Sequence, residues 1–258
     1  MNPLLVLTWL PPDGTGLDAL TLVRRLLRRA GQDQPALPEG VAPSQRGRPP
    51  NILPDCAAER LATAVGMAVL RHSLLSVATA APPGPEAARL AERGLLLVQV
   101  PFRDPVRAAR GLVGRGARGW PVRGLPGAAT AAEAQQILLA AAPALEEWLA
   151  LPGALAVDLD QLAASPAEVL ALVMDHLGIE AESEEEVPAF LAEWSVRKTI
   201  LAETDAGAAA LSAEEEAGIR AALGPLHERC RAAAAAAAAA LAPPAPAPAQ
   251  GTIVPPEA

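Results

Sequence analysis

The sequence predicts an α/β fold with a central parallel sheet, and three observations point to it. Residues 4–10, 95–101 and 154–159 are short, almost wholly apolar runs, as expected of strands covered on both faces. Each is followed by turn residues and then by a segment whose apolar positions recur at helical spacing. Strands that alternate with helices need crossover connections, which place helices against a parallel sheet.

The first run ends in Pro11-Pro12-Asp13-Gly14-Thr15-Gly16, which is turn chemistry. A helix over 17–30 follows. At 100° per residue, Leu20, Val23, Leu26, Leu27 and Ala30 share one side, and Arg24, Arg25, Arg28 and Arg29 the other. Residues 32–54 are rich in Pro, Gly and polar side chains and read as an irregular excursion. Residues 57–80 read as helix, with room for a short strand near 74–78. The break Pro82-Pro83-Gly84-Pro85 leads into a helix over 86–93, then the second apolar run. That run closes with Arg103-Asp104-Pro105, where Asp104 suits a helix cap and Pro105 the first helical position.

A Gly- and Arg-rich patch at 111–127 precedes a helix over 131–149. The third run leads to a helix over 166–177, stopped by Gly178. Residues 180–186 form a solvated acidic stretch. Ser212 and Glu215 have capping-box spacing, and the helix they open runs on through alanines 232–240. The expected organisation is one α/β domain over 1–241 and a Pro/Ala-rich, disordered tail over 242–258.

Composition narrows the function. With 29 acidic and 21 basic side chains the formal charge is −8, which argues against nucleic acid or an anionic membrane as partner. Two cysteines make neither a disulfide framework nor a zinc set. No apolar run is long enough for a membrane span, and the start lacks a signal peptide's charged region, so the expected location is cytoplasmic. Lys198 is the one lysine, so anion chemistry falls to arginine or backbone N–H groups.

Several constellations could carry chemistry. The glycine-bearing loop Gly14-Thr15-Gly16, between a buried strand and a helix N-terminus, suits an anion, although an ordinary tight turn explains the same residues. The triphosphatase pattern GxxxxGK[ST] is absent. Arg103 stands at a strand's carboxyl end, where ligands of open α/β sheets bind, and a guanidinium there can grip a phosphate at two points. Its alternative is an ion pair with an acidic neighbour. Asp158 and Asp160 read as turn formers and caps. Of His72, His176 and His227, only His72 is a candidate base, and no metal-ligand spacing is present.

Taken in order, four segments resemble the sulfotransferase family, in particular its bacterial branch that uses 3′-phosphoadenosine 5′-phosphosulfate (PAPS). They are LLVLTWLPPDGTGLDALTLVRRLL, LLLVQVPFRDPVRAARGLVGR, WLALPGALAVDLDQLAASPAEVLALVMDHLGIE and LSAEEEAGIRAALGPLHERC, together spanning residues 4–230. The resemblance implies a P-loop-like three-layer sandwich. It implies PAPS as co-substrate without a metal, held by Gly14, Thr15, Gly16 and Arg103. It implies transfer of a sulfuryl group to a hydroxyl or amine of a small-molecule or glycan acceptor, with no catalytic residue assigned.

The departures are specific. The family's loop carries a basic residue and a serine where this chain has Pro12 and Asp13, and the serine that shares the 3′-phosphate is here Gly111. The alternative expectation is therefore a catalytically impaired sulfotransferase-fold binding or regulatory protein. An arginine within reach of the Gly14–Thr15 loop favours the active reading. A loop mouth lined by Asp13 with no guanidinium nearby favours the impaired one.

Overall fold

The computed structural model describes residues 2–42, 51–119, 125–180, 188–190, 192 and 204–241. Five strands, β1 (Leu5–Trp9), β2 (Ile52–Leu53), β3 (Leu75–Thr79), β4 (Leu96–Phe102) and β5 (Ala154–Asp158), form one sheet in the order β2-β3-β1-β4-β5. Every neighbouring pair is parallel, so all five carboxyl ends lie on one edge. The helices are α1 (Gly16–Arg29), α2 (Ala58–Arg71), α3 (Gly84–Glu92), α4 (Pro105–Gly114), α5 (Ala131–Leu149), α6 (Leu159–Ala164), α7 (Pro166–Leu177) and α8 (Ala213–Leu241).

Strand alternation sorts the core into two layers. Leu5, Leu7 and Trp9 of β1 face the same way as Val98 and Val100 of β4, and pack with Leu61, Ala64 and Trp148 from α2 and α5. Val6, Leu155 and Val157 point oppositely, against Leu22, Val23 and Leu26 of α1 and Leu170 and Val173 of α7. Each such side chain taken out of water contributes about 1.5–3 kcal/mol. The result is a three-layer α/β sandwich around a parallel sheet, as expected.

Local signals act where they were read. Asp104 caps α4 by accepting from the backbone N–H groups of Val106 and Arg107, with Pro105 at the first helical position. Gly178, at φ 66°, ends α7 in the left-handed conformation. Ser212 and Glu215 exchange the reciprocal capping-box bonds ahead of α8.

One expectation needs correction and another gains sharper bounds. The 32–54 excursion contains an edge strand, β2, and residues 32–37 are tied to β3 by side chains rather than a ladder. Gln34 accepts from the Ser76 N–H and donates to the Leu74 carbonyl. The 57–80 segment is a helix and a full central strand, parted by His72 at φ 50° rather than by glycine or proline. Residues 43–50, positions 181–186 of the acidic stretch and the 242–258 tail lie outside the described residues.

Candidate functional site

The site forms where β1 and β4, side by side, release their chains at the carboxyl edge. After β1, Pro11 and Pro12 have no N–H to continue a ladder, and the Gly14 N–H closes a turn onto the Pro11 carbonyl at 2.9 Å. Gly14 sits at φ 76°, and a Cβ there would come within 2.5 Å of the Leu125 side chain. One at Gly16 would meet Pro11 at 2.5 Å. Both glycines are demanded by conformation and close packing.

Several of the donors the loop offers to an anion are already in use. Asp13, buried, accepts from the Thr15 hydroxyl at 2.7 Å and from the Thr15 N–H at 3.2 Å. The N–H groups of Leu17 and Asp18 turn back to the carbonyls of Gly14 and Thr15. The internal carboxylate thus takes both donors of Thr15, just ahead of a helix N-terminus where a phosphate could otherwise sit. A guanidinium reaches the loop from α4's end. Arg115 Nη2 donates to the Asp13 carbonyl at 2.5 Å, while its Nε and Nη1 donate to the carbonyls of Gly111 and Pro126. Burial lowers the Arg115 pKa, the Asp13 carboxylate opposes this, and Arg103 adds to it.

Arg103 follows β4 directly, and its side chain is only 2% exposed. Its Nη2 donates to Asp160 at 3.2 Å and to Asp205 at 2.7 Å. Burial alone would depress its pKa, but the carboxylates of Asp13, Asp160 and Asp205 carry it above the ordinary value. Asp160 is fixed independently, accepting from Arg107 at 2.9 Å and from the Asp104 N–H at 2.7 Å. Among the described residues, Arg103 Nε and Nη1, Asp13 Oδ2 and Thr204 Oγ1 are buried here without a hydrogen-bond partner.

Residues 204–209 lie along α4 beside Arg103. Thr204 packs on Gly111 and the Gly207 carbonyl on Gly114, so closely that a Cβ at either glycine would overlap it. The Ala209 N–H donates to the Arg110 carbonyl at 3.1 Å. The space beside Gly111 is filled by Thr204.

Behind the loop, a half-open, largely apolar pocket of about 70 Å³ is lined by Trp9, Phe102, Arg103, Leu226, His227 and Cys230, among others. His227 meets the Phe102 ring edge-on at 5.7 Å. Burial pushes the Cys230 thiol up to about 12, which keeps it protonated and unreactive. The chain leaving β3, Thr79-Ala80-Ala81-Pro82, brings no acid or base to this edge. His72 precedes β3 and so belongs to the opposite, amino edge, beside Leu26 and Met174. It is not placed to serve as the base.

No protein-family profile and no curated protein matches the sequence. Among solved structures, mouse sulfotransferase SULT7A1 complexed with PAP superposes with a TM-score of 0.55 at 11% identity, over 90% of this chain and 88% of that one. The fold is that of the sulfotransferases. At this identity the likeness is one of architecture, and the roles of individual residues rest on their own geometry. In the sulfotransferase fold of this chain, the Gly14–Gly16 loop and Arg103 stand at one sheet edge and Asp158 at its flank. Asp158 caps α6 by accepting from the N–H groups of Asp160 and Gln161. Arg115 was visible in the sequence only as one of many arginines in the 111–123 patch. Asp205, Thr204 and His227 carried no local signal, since their partners lie more than 90 positions away.

Proposed function

We propose that the chain is a catalytically impaired sulfotransferase-fold protein, a binding or regulatory module whose ligand is an adenosine bisphosphate of the PAPS type. The observation that carries this reading is Asp13, whose carboxylate holds the Thr15 N–H and hydroxyl at the point where a phosphosulfate would need them. A second negative group brought there would be repelled rather than bound. The anchoring end fits a phosphate better: Arg103 Nε and Nη1 are buried without partners among the described residues, and each makes a two-point edge with Nη2, which now serves Asp160 and Asp205.

Titration calorimetry with 3′-phosphoadenosine 5′-phosphate, with 5′-AMP alongside, tests the reading. Binding that needs the 3′-phosphate is expected, together with no sulfuryl transfer from PAPS across an acceptor panel. Turnover would overturn it. Arg103→Ala should abolish the 3′-phosphate dependence, whereas Arg110→Ala, which loses only the pairing with Glu216, should not.

One observation favours the active alternative. Arg115 supplies a guanidinium at the loop, the compensation a sulfotransferase with Pro12 in place of its cation would require. Electrostatic stabilisation by such a group is worth about 10²–10³ in rate. Under that reading PAPS turnover is measurable and Arg115→Met removes it.

A further inference from the structure

We propose that residues 204–209 form an autoinhibitory strap, in which the Asp205 carboxylate occupies Arg103 in place of a phosphate monoester, and that a ligand bearing such a phosphate displaces it. The proposal deepens the reading of Arg103 as the anchoring cation and rests on it.

The two carboxylates on Arg103 are not equivalent. Asp160 is also held by Arg107 and by the Asp104 N–H, and it belongs to the turn between β5 and α6. Asp205 hydrogen-bonds Arg103 alone through its side chain among the described residues, and its side chain is 43% exposed against 2% for Arg103. It reaches a buried cation from the solvent side, as a ligand would.

The seat is shaped for the strap. Gly111 and Gly114, one helical turn apart on α4, admit Thr204 and the Gly207 carbonyl only because neither has a side chain. Yet the closed arrangement is poorly satisfied. Arg103 Nε and Nη1 and the Thr204 hydroxyl are buried without partners, and such groups are costly to leave so. A carboxylate that touches only Nη2 leaves most of the guanidinium's donors unused. A phosphate monoester has more charge and an additional acceptor oxygen, and can take the fork at two points. Displacement therefore exchanges a partial ion pair for a fuller one and returns Asp205 and Thr204 to water.

The test uses the full chain. Calorimetry with 3′-phosphoadenosine 5′-phosphate and with 5′-AMP is run on the wild type, Asp205→Asn, Gly111→Ala and Arg103→Met, each checked for folding by thermal melting. Removing the competing charge should tighten bisphosphate binding about tenfold or more in Asp205→Asn, with 5′-AMP unchanged. Gly111→Ala, which props Thr204 off its seat, should tighten it in the same direction. Hydrogen exchange on the wild type should show the Ala209 amide losing protection when the bisphosphate is added. If Arg103→Met abolishes binding while Asp205→Asn and Gly111→Ala leave it unchanged, the strap is refuted and the anchoring role of Arg103 stands. If no variant binds at millimolar bisphosphate, or all bind equally, Arg103 is not the anchor and both ideas fall.

Discussion

At Asp13 one carboxylate oxygen serves two donors of Thr15, and the other oxygen is buried with nothing to accept from. That imbalance makes the position a sharp test of the loop. Pro12→Arg combined with Asp13→Ser keeps a hydroxyl able to turn back onto the Thr15 N–H, removes the internal anion and supplies a cation. PAPS affinity measured by calorimetry should rise about tenfold or more, the scale of one charge-assisted bond. No change would mean that the nucleotide does not use this loop. Residue identity alone showed that Pro12 and Asp13 depart from the expected pattern, because those positions are local to a recognisable strand-loop-helix. It did not show why Gly111 replaces serine. In sequence that glycine reads as a lost contact, and in the fold it is the seat of Thr204, a residue 93 positions later.

Among the elements, the strands with long apolar runs and proline- or glycine-marked ends were legible, β3 was legible only as a short strand near 74–78 inside a helical stretch, and β2 was not legible. β2 has two residues, and β3 follows α2 with only His72 in the left-handed conformation between them. The central strands also carry polar groups that periodicity does not flag. Gln99 of β4 is fully buried with both amide atoms unpartnered, and it is in register with Thr8 of β1, whose hydroxyl is unpartnered as well. Gln99→Met should stabilise the fold by about 1–2 kcal/mol, seen as a higher urea midpoint with unchanged slope. On α7, burial pushes the His176 imidazole down to about 4 from 6.5, against the opposing effects of a backbone bond with Val98 and of Asp175. The unfolded chain therefore binds the proton first. The stability tied to neutral His176 is complete above about pH 6.5 and is lost as pH falls towards 4, amounting to at most ~3 kcal/mol. Thermal melts across that range should show a shallower acid loss in His176→Gln than in the wild type.

For the molecule as a whole, no helix among the described residues is long and apolar enough to cross a membrane. Cys56 and Cys230 are both buried, and desolvation raises each thiol to about 12. Neither should react with a disulfide reagent at pH 8 in the folded protein, and both should react at once in denaturant. A fast-reacting thiol under native conditions would show that α8 or the 52–58 region opens locally.

The bonds that join the edge of the sheet together have a further consequence. Arg115 to Asp13 and Arg103 to Asp205 each link residues 102 positions apart, whereas the helices that flank them close bonds within four residues. Loops of that length must be closed before either contact forms, and contacts of high sequence separation are slow to form. A chain leaving the ribosome can assemble β1, β3 and β4 while Asp205 is still unmade. For that interval Arg103 has no strap over it, so on the strap proposal the nascent protein passes through a stage in which this guanidinium is open to whatever phosphate the surroundings supply.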